Sequence, residues 1–430
     1  MNIRFPYGKS FLTVDISSKN LIPTVGPKPL TGVHNPREAV EHALDHPLSE
    51  TPLDRIASRS SKVCVVVSDI TRPVPNKKIL RPIIRRLVKA GVSAENLVLA
   101  VASGSHRPPS PSELFQMLGQ EIVSKFKVVA HDCLAKSSMV DYGKTSFGTP
   151  VAVNRVVADA DIKVLTGLIE PHNLSGFSGG RKSILPGVSS IETITANHSP
   201  DKLDHPKSVA GVLDGNPIHE DMEEAATMVG VDFVVNVVSN FNGAISKVKS
   251  GHFVKAHREG ADQCYDASKV MVREPADVAI VATGYPWDQN LYMTINGPNR
   301  IVHSPNQVLR QGGTVIVVAE CSEGTGLAHT SFYDLLTKAS SIDEVIARTS
   351  DPNFFIKDKW EAHLWARIMQ RYEVIVVTGG MTNAELEKAF MRRERNLENA
   401  IEYSFKKHGS DARIIALPNA IKVIPILEDN

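Results

Sequence analysis

Four short stretches concentrate the side chains able to move protons, grip anions or hold a metal. S-D-I-T-R-P-V-P at 68 to 75 carries Asp69, Thr71 and Arg72, and S-G-S-H-R-P at 103 to 108 carries Ser103, Ser105 and His106. E-P-H-N-L-S-G-F-S-G-G-R-K-S at 170 to 183 carries His172, Lys182 and a run of glycines, and A-N-H at 196 to 198 ends in His198. An imidazole titrates near neutrality, so it can take or give a proton and, when neutral, offer a lone pair to a metal. Most of the 15 histidines are ordinary solvated or core residues. His106 and His172 differ because each follows the end of an apolar run, and His198 because it lies close behind the glycine loop. Three of them converging on one cleft would form a site for acid/base work or metal ligation.

The glycine stretch admits two readings. Gly176, Gly179 and Gly180 allow backbone amides to point inward at a phosphate, and a helix starting near Ser189 would add its positive end. Alternatively it is a glycine-rich turn with solvated Arg181 and Lys182. The nearby histidines favour the first. It is not a P-loop, because Arg181 stands directly before Lys182 where that motif needs glycine. A dinucleotide fingerprint is also missing: no G-x-G-x-x-G follows the first strand, and Gly324–Thr325–Gly326 lacks the third glycine. Cys64, Cys133, Cys264 and Cys321 stand singly, with no C-x-x-C pair, and read as small buried apolar residues.

The elements that must position these residues follow from the apolar pattern. Short β-branched runs at 63–67, 96–102, 127–130, 161–167 and 233–238 alternate with helical segments such as 77–91 and 112–123. That alternation predicts a mainly parallel sheet with helices on both faces. After the polar stretch at 273–277, a second strand series runs through 277–284, 312–320 and 372–380. A helix-like stretch from 383 ends at Gly409, and 412–418 reads as one more strand, with a return to the first unit as its expected place. The expected organisation is α/β, with two domains of mainly parallel sheet. Residues 1–268, joined by a returning 410–430, form the first, and 273–409 form a smaller second. Ligands in such sheets sit beyond the carboxyl ends of the strands, so the cleft between the domains is the expected active site.

Composition narrows the partners. Lys+Arg 48 against Asp+Glu 47 gives a net charge of +1, so no global field favours nucleic acid or an anionic membrane. No stretch approaches the roughly 20 apolar residues of a membrane helix, and the first residues lack a signal-peptide core, so a cytoplasmic protein acting on a small molecule is expected. A homo-oligomer is compatible with all of this.

Together with Y-P-W-D-Q-N-L-Y at 285 to 292, the four stretches resemble the nickel-pincer lactate racemase family, and the resemblance spans nearly the whole chain. In that family a pyridinium mononucleotide is joined through a thioamide to a lysine, and its sulfurs, a ring carbon and one histidine bind nickel in a plane. The resemblance puts that lysine at Lys182 and that histidine at His198, a donor set suited to square-planar nickel. It implies that Asp69, Thr71, Ser178 and the amides around Gly176, Gly179 and Gly180 hold the nucleotide, with Trp360 beside its plane. It also implies racemisation or epimerisation at C2 of a 2-hydroxy acid, by hydride transfer to the cofactor, with His106 and His172 as the two bases. Arg72, with its planar fork, would clamp the substrate carboxylate. Cofactor-synthesis enzymes are implied partners.

After Tyr292 the sequence departs from the family. Met293 and Asn296 stand where lactate racemases carry glutamine and lysine. A longer, polyhydroxylated acid such as a sugar acid, meeting Asn296, is one expectation, and lactate held by some other side chain is the alternative. A relative that binds the nickel nucleotide without turnover, as carrier or sensor, is the competing reading from another class. A phosphate-binding hydrolase would need a metal-bound water, and no carboxylate cluster at suitable spacing announces one.

Overall fold

The computed structural model of the protein describes residues 1–25, 28–326 and 329–428. Runs dense in valine, leucine and isoleucine become parallel strands buried on both faces, as parallel sheets require. Across the first sheet lie Ile245–Gly251, Phe233–Ser239, Ile162–Ile169, Val63–Ser68, Leu97–Ala102 and Lys127–Ala130, all parallel except the antiparallel edge strand Ile245–Gly251. No residue from Val63 to Val67 is more than 1% exposed. The chain builds outward from Val63–Ser68 to Lys127–Ala130 and then crosses back to place Ile162–Ile169 on the other side. Loops leaving the strands at that reversal diverge and open a crevice. The segments holding Asp69, His106 and His172 all leave from it.

Across the second sheet lie Arg392–Glu394, Glu373–Val377, Leu309–Val318, Ala276–Ala282 and Ile414–Leu417, all parallel. A small third sheet joins Ile424–Leu427, Lys269–Val272 and Thr24–Val25. The class is α/β with mainly parallel sheets, as the strand pattern implies. No helix among the described residues is long and apolar enough to cross a membrane.

Four local expectations change. The segment 112–123 is two helices, Pro111–Leu118 and Gln120–Lys125, because Gly119 adopts φ 91° between them. The stretch from 383 splits into Asn383–Lys388 and Leu397–His408, interrupted by Phe390 at φ 61° and the edge strand Arg392–Glu394. The strand at 414–417 does not return to the first sheet; it pairs in parallel with Ala276–Ala282 of the second, and only Ile424–Leu427 comes back, against Lys269–Val272. The N-terminal hairpin Asn2–Tyr7 and Ser10–Asp15, read from sequence as part of the first domain, packs on the second sheet through Phe5, Val14 and Ile16.

Candidate active site

A cleft between the two halves encloses about 1240 Å³ of open space. Asp69, Arg72, His106, His172, Ser178, Gly179, Lys182 and His198 line it from the first half; Tyr292, Met293, Asn296 and Trp360 line it from the second.

His106 is held by Asp69. Its Nδ1 lies 2.7 Å from Asp69 Oδ2, while Thr71 Oγ1 donates to Asp69 Oδ1 at 2.7 Å. Burial pushes the Asp69 carboxyl up, but His106, Thr71 and Arg72 outweigh it, and the group lies below the ordinary carboxylate range. The carboxylate therefore fixes the tautomer with Nδ1–H, leaving Nε2 as the free ring nitrogen. Asp69 and Thr71, assigned by the resemblance to the nucleotide, are spent on this histidine, and Thr71 does not line the cleft.

His172 sits on a two-stranded turn, Pro171–His172 against Gly176–Phe177. Its Nδ1 lies 3.1 Å from Ser175 Oγ, which donates to the Phe177 carbonyl at 3.3 Å; the amides of Leu174 and Ser175 also approach Nδ1 at 3.3 Å. Backbone amides can only donate, so Nδ1 bears the lone pair and the resting neutral ring carries its proton on Nε2, the opposite tautomer to that of His106; the other tautomer would place Nδ1–H on the Ser175 hydroxyl. Burial, then Lys182 and Arg72, hold the imidazole well below its ordinary value.

The glycines serve packing rather than a phosphate cradle. Gly176 has φ 72°, and a Cβ there would stand 2.2 Å from the Val212 carbonyl oxygen. At Gly179, φ 81°, a Cβ would meet Ile169 and Asn236, and the Gly180 amide is already taken by Asn236 Oδ1 at 3.1 Å. Gly176 and Gly180 do not line the cleft. Nor does the helix Ile191–Asn197 aim its positive end at this loop: the amides of Ser190, Ile191 and Thr193 are bound by Ala152, Cys133 and Ser190 Oγ. What the loop delivers is Lys182. Arg181 beside it is buried, donating to the Ser175 carbonyl and to His257 Nε2, which ties down the segment on either side. Burial, then Arg72 and Arg181, hold the Lys182 amine well below the usual lysine range, a shift toward the neutral, nucleophilic form.

His198 follows the last turn of Ile191–Asn197. Its Nδ1–H donates to the Ile194 carbonyl at 3.0 Å, the arrangement that leaves Nε2 bare and oriented for a metal. Burial, then Lys182, brings it down to about 3, so it stays neutral. The Trp360 ring lies 5.6 Å away. Among the described residues no three His, Cys, Asp or Glu side chains gather around a point, so a metal at His198 would need its other donors from a bound group. A bare imidazole and a buried lysine amine with lowered basicity, facing one cleft, fit a covalently attached, metal-carrying nucleotide.

From the second half, Trp287 stacks on the Arg72 guanidinium at 4.9 Å, and Tyr292 stacks on His329 at 3.7 Å, with His329 Nδ1 2.7 Å from Asp358 Oδ2. Asn296 is less free than its sequence position suggests. It accepts from Asn173 Nδ2 at 2.8 Å and donates to the Met293 carbonyl at 2.8 Å. Sequence reasoning missed Asn173, Trp287, His329, Asp358 and Glu361. Asn173 stands next to His172 and Glu361 next to Trp360, which is the one signal that pointed to them.

Residues 7–211 match the family profile "Lactate racemase N-terminal domain" and 271–425 match "Lactate racemase C-terminal domain". The chain is 32% identical to the lactate racemase of Thermoanaerobacterium thermosaccharolyticum over 98% of its length and 99% of that protein's. It is 33% identical to that of Lactiplantibacillus plantarum over the same shares. The solved lactate racemase apoprotein from T. thermosaccharolyticum superposes with TM-score 0.90 at 30% identity, covering 100% of both chains. A crystal structure of a Thermotoga maritima protein, 18% identical, shares the fold with TM-score 0.72 over 94% of this chain and 100% of that one.

Proposed function

Since the chain belongs to the lactate racemase family and is an isomerase of that class, we propose that it inverts C2 of a 2-hydroxy acid by way of the 2-oxo acid, using a nickel-pincer nucleotide attached to Lys182. The observation that carries this reading is the pair His106 and His172 on one cleft, each anchored through Nδ1 with Nε2 unpartnered among the described residues, beside Arg72, Lys182 and His198.

When bound, the nucleotide would supply a reversible acceptor for the C2 hydride. The chain's own residues do the rest. Arg72 pairs with the substrate carboxylate and sets C2 in place. One histidine takes the hydroxyl proton at Nε2 as the carbonyl forms, and the other returns a proton to that oxygen once the opposite face has been presented. Asp69 keeps His106 oriented with Nε2 bare; Ser175 Oγ can receive Nδ1–H when His172 takes the tautomer that bares its own Nε2. His198 Nε2 would ligate the metal, and Trp360 would flank the group. Cofactor-synthesis enzymes are the required partners, and loading takes place in the cytoplasm. With Met293 and Asn296 in place of a glutamine and a cation, the substrate is a larger, polyhydroxylated acid in preference to lactate.

The test is to produce the protein together with the cofactor-synthesis enzymes and follow single enantiomers or epimers of lactate, malate, phenyllactate and gluconate by chiral chromatography. Interconversion of at least one, abolished in the His106→Ala and His172→Ala variants, is expected. A nickel-loaded protein that inverts none of them is a carrier or sensor instead.

A further inference from the structure

Glu361 stands in the first turn of helix Lys359–Arg371, lines the cleft, and leaves Oε2 buried with no partner among the described residues. A buried carboxyl oxygen without a partner forfeits its hydration for nothing unless a ligand replaces it. A second residue with an unmatched buried atom lines the same cleft from the other half of the chain. Asn173 is 5% exposed, and its Oδ1 also lacks a partner. Its orientation is fixed: Asn296 uses its amide nitrogen on the Met293 carbonyl, so its oxygen must receive the Asn173 amide, which turns Asn173 Oδ1 away.

We propose that Glu361, with Asn173, recognises a hydroxyl group of the substrate beyond C2, and that this pair selects a polyhydroxylated acid over its deoxy counterpart. The proposal rests on the 2-hydroxy-acid reading above. Its chemistry is that of a neutral site. Burial, then Asp358, pushes the Glu361 carboxyl up to about 8, so at neutral pH it is mostly protonated and both donates and accepts. A hydroxyl, itself donor and acceptor, matches a carboxylic acid on one side and an amide oxygen on the other. A second carboxylate on the substrate would be disfavoured there, since no cation stands at position 296. Asn296 acts by holding Asn173 rather than by touching substrate.

The test measures equilibrium binding of D-gluconate and 2-hydroxyhexanoate to cofactor-loaded protein by calorimetry, for wild type, Glu361→Gln and Glu361→Leu, with cofactor retention read by nickel content and absorbance. Wild type should prefer gluconate by at least about tenfold, because a site built for a hydroxyl rejects the analogue lacking it. Glu361→Gln, which still donates and accepts, should keep that preference to within about threefold, and Glu361→Leu should bind the two acids about equally. Absence of preference in wild type, preference retained by Glu361→Leu, or loss of cofactor in Glu361→Leu alone would overturn the proposal, the last by assigning the carboxyl to the cofactor. Chiral analysis of the same samples reports separately on the proposed reaction. Preference without turnover defeats the reaction and leaves the recognition pair standing, and turnover without preference does the reverse.

Discussion

Lys202 and Asp221 meet at 2.7 Å in the interior, with side chains 6% and 0% exposed. Asp221 also accepts from Thr145, Thr149 and Asn197, and Lys202 also donates to the Ala196 carbonyl two residues before His198. The pair therefore fixes the end of the short helix that presents His198, the imidazole proposed to hold the metal. Asp221→Ala leaves a buried ammonium and several donors unmatched, and should cost about 3–5 kcal/mol. Urea unfolding would measure this, and nickel content should fall with it. A stable variant with full nickel would remove the pair from any role at His198.

Burial holds the Lys182 amine well below the usual lysine range, so the proposed attachment of the cofactor there should not wait for alkaline pH. Intact-mass and peptide mapping of the co-produced protein should place the adduct on Lys182, and Lys182→Ala should lack it. Attachment to apoprotein should proceed at nearly the same rate at pH 7 and pH 9, whereas an ordinary lysine would gain about tenfold per pH unit. An adduct on another lysine would defeat the assignment.

Asp69→Asn keeps the shape but offers an amide where His106 needs a carboxylate. The wrong ring nitrogen then carries the proton, and kcat should fall by roughly 10²–10⁴ in both directions with KM little changed. A KM effect alone would mean that Asp69 acts on binding and not on the histidine.

Substrate deuterated at C2 separates hydride return from proton exchange. With histidines acting only on oxygen, product formed in ordinary water should keep most of its deuterium. Two-base abstraction of the C2 proton would pass the label to a ring nitrogen that exchanges with solvent. Mass spectrometry of the product after one half-conversion decides between them.

Several histidines are held neutral by burial. His131 is brought down to about 4, His198 and His303 to about 3, and His172, His219 and His257 are also lowered. A lowered folded-state value means that, as pH drops below about 6.5, the unfolded chain takes up protons the folded chain refuses. Each such group then removes about 1.4 kcal/mol of stability per pH unit. The apoprotein should be at full stability above pH 7 and lose it steeply between pH 6 and 5, seen as a falling urea midpoint. A flat midpoint across that range would contradict the buried neutral state.

The strands were legible because valine-rich runs ending in Ser, Asp or His announce both a buried parallel strand and the polar edge beyond it, as at Val63–Ser68 followed by Asp69. The cleft residues His106, His172, Lys182 and His198 come together for that reason. Pairings between distant segments carry no such local mark. Nothing near Asn173 in sequence indicates that Asn296, 123 residues on, will hold its amide. The turn at Phe390 was missed because a non-glycine residue at positive φ lacks the compositional cue that Gly409 gives. The glycines of the Lys182 loop were read for a ligand, yet at Gly176 and Gly179 it is neighbouring protein that leaves no space for a Cβ.

The N-terminal hairpin has a consequence for anyone wishing to dissect the molecule. Phe5, Val14 and Ile16 cover one side of the second sheet over Val278, Ile280, Ile316 and Val377, and Leu21 bridges to Ile414. The hairpin thus belongs to the second body, whereas Ile424 packs with Ile169, Phe177 and Val238 of the half carrying Lys182, so the chain passes between the two bodies more than once. Truncation near residue 270 would not liberate a self-sufficient module but would strip an apolar lid from the sheet, a surface prone to aggregation. A second half carrying that hairpin fused ahead of its first strand would keep the lid, which makes such a fusion the sounder route to a separable piece.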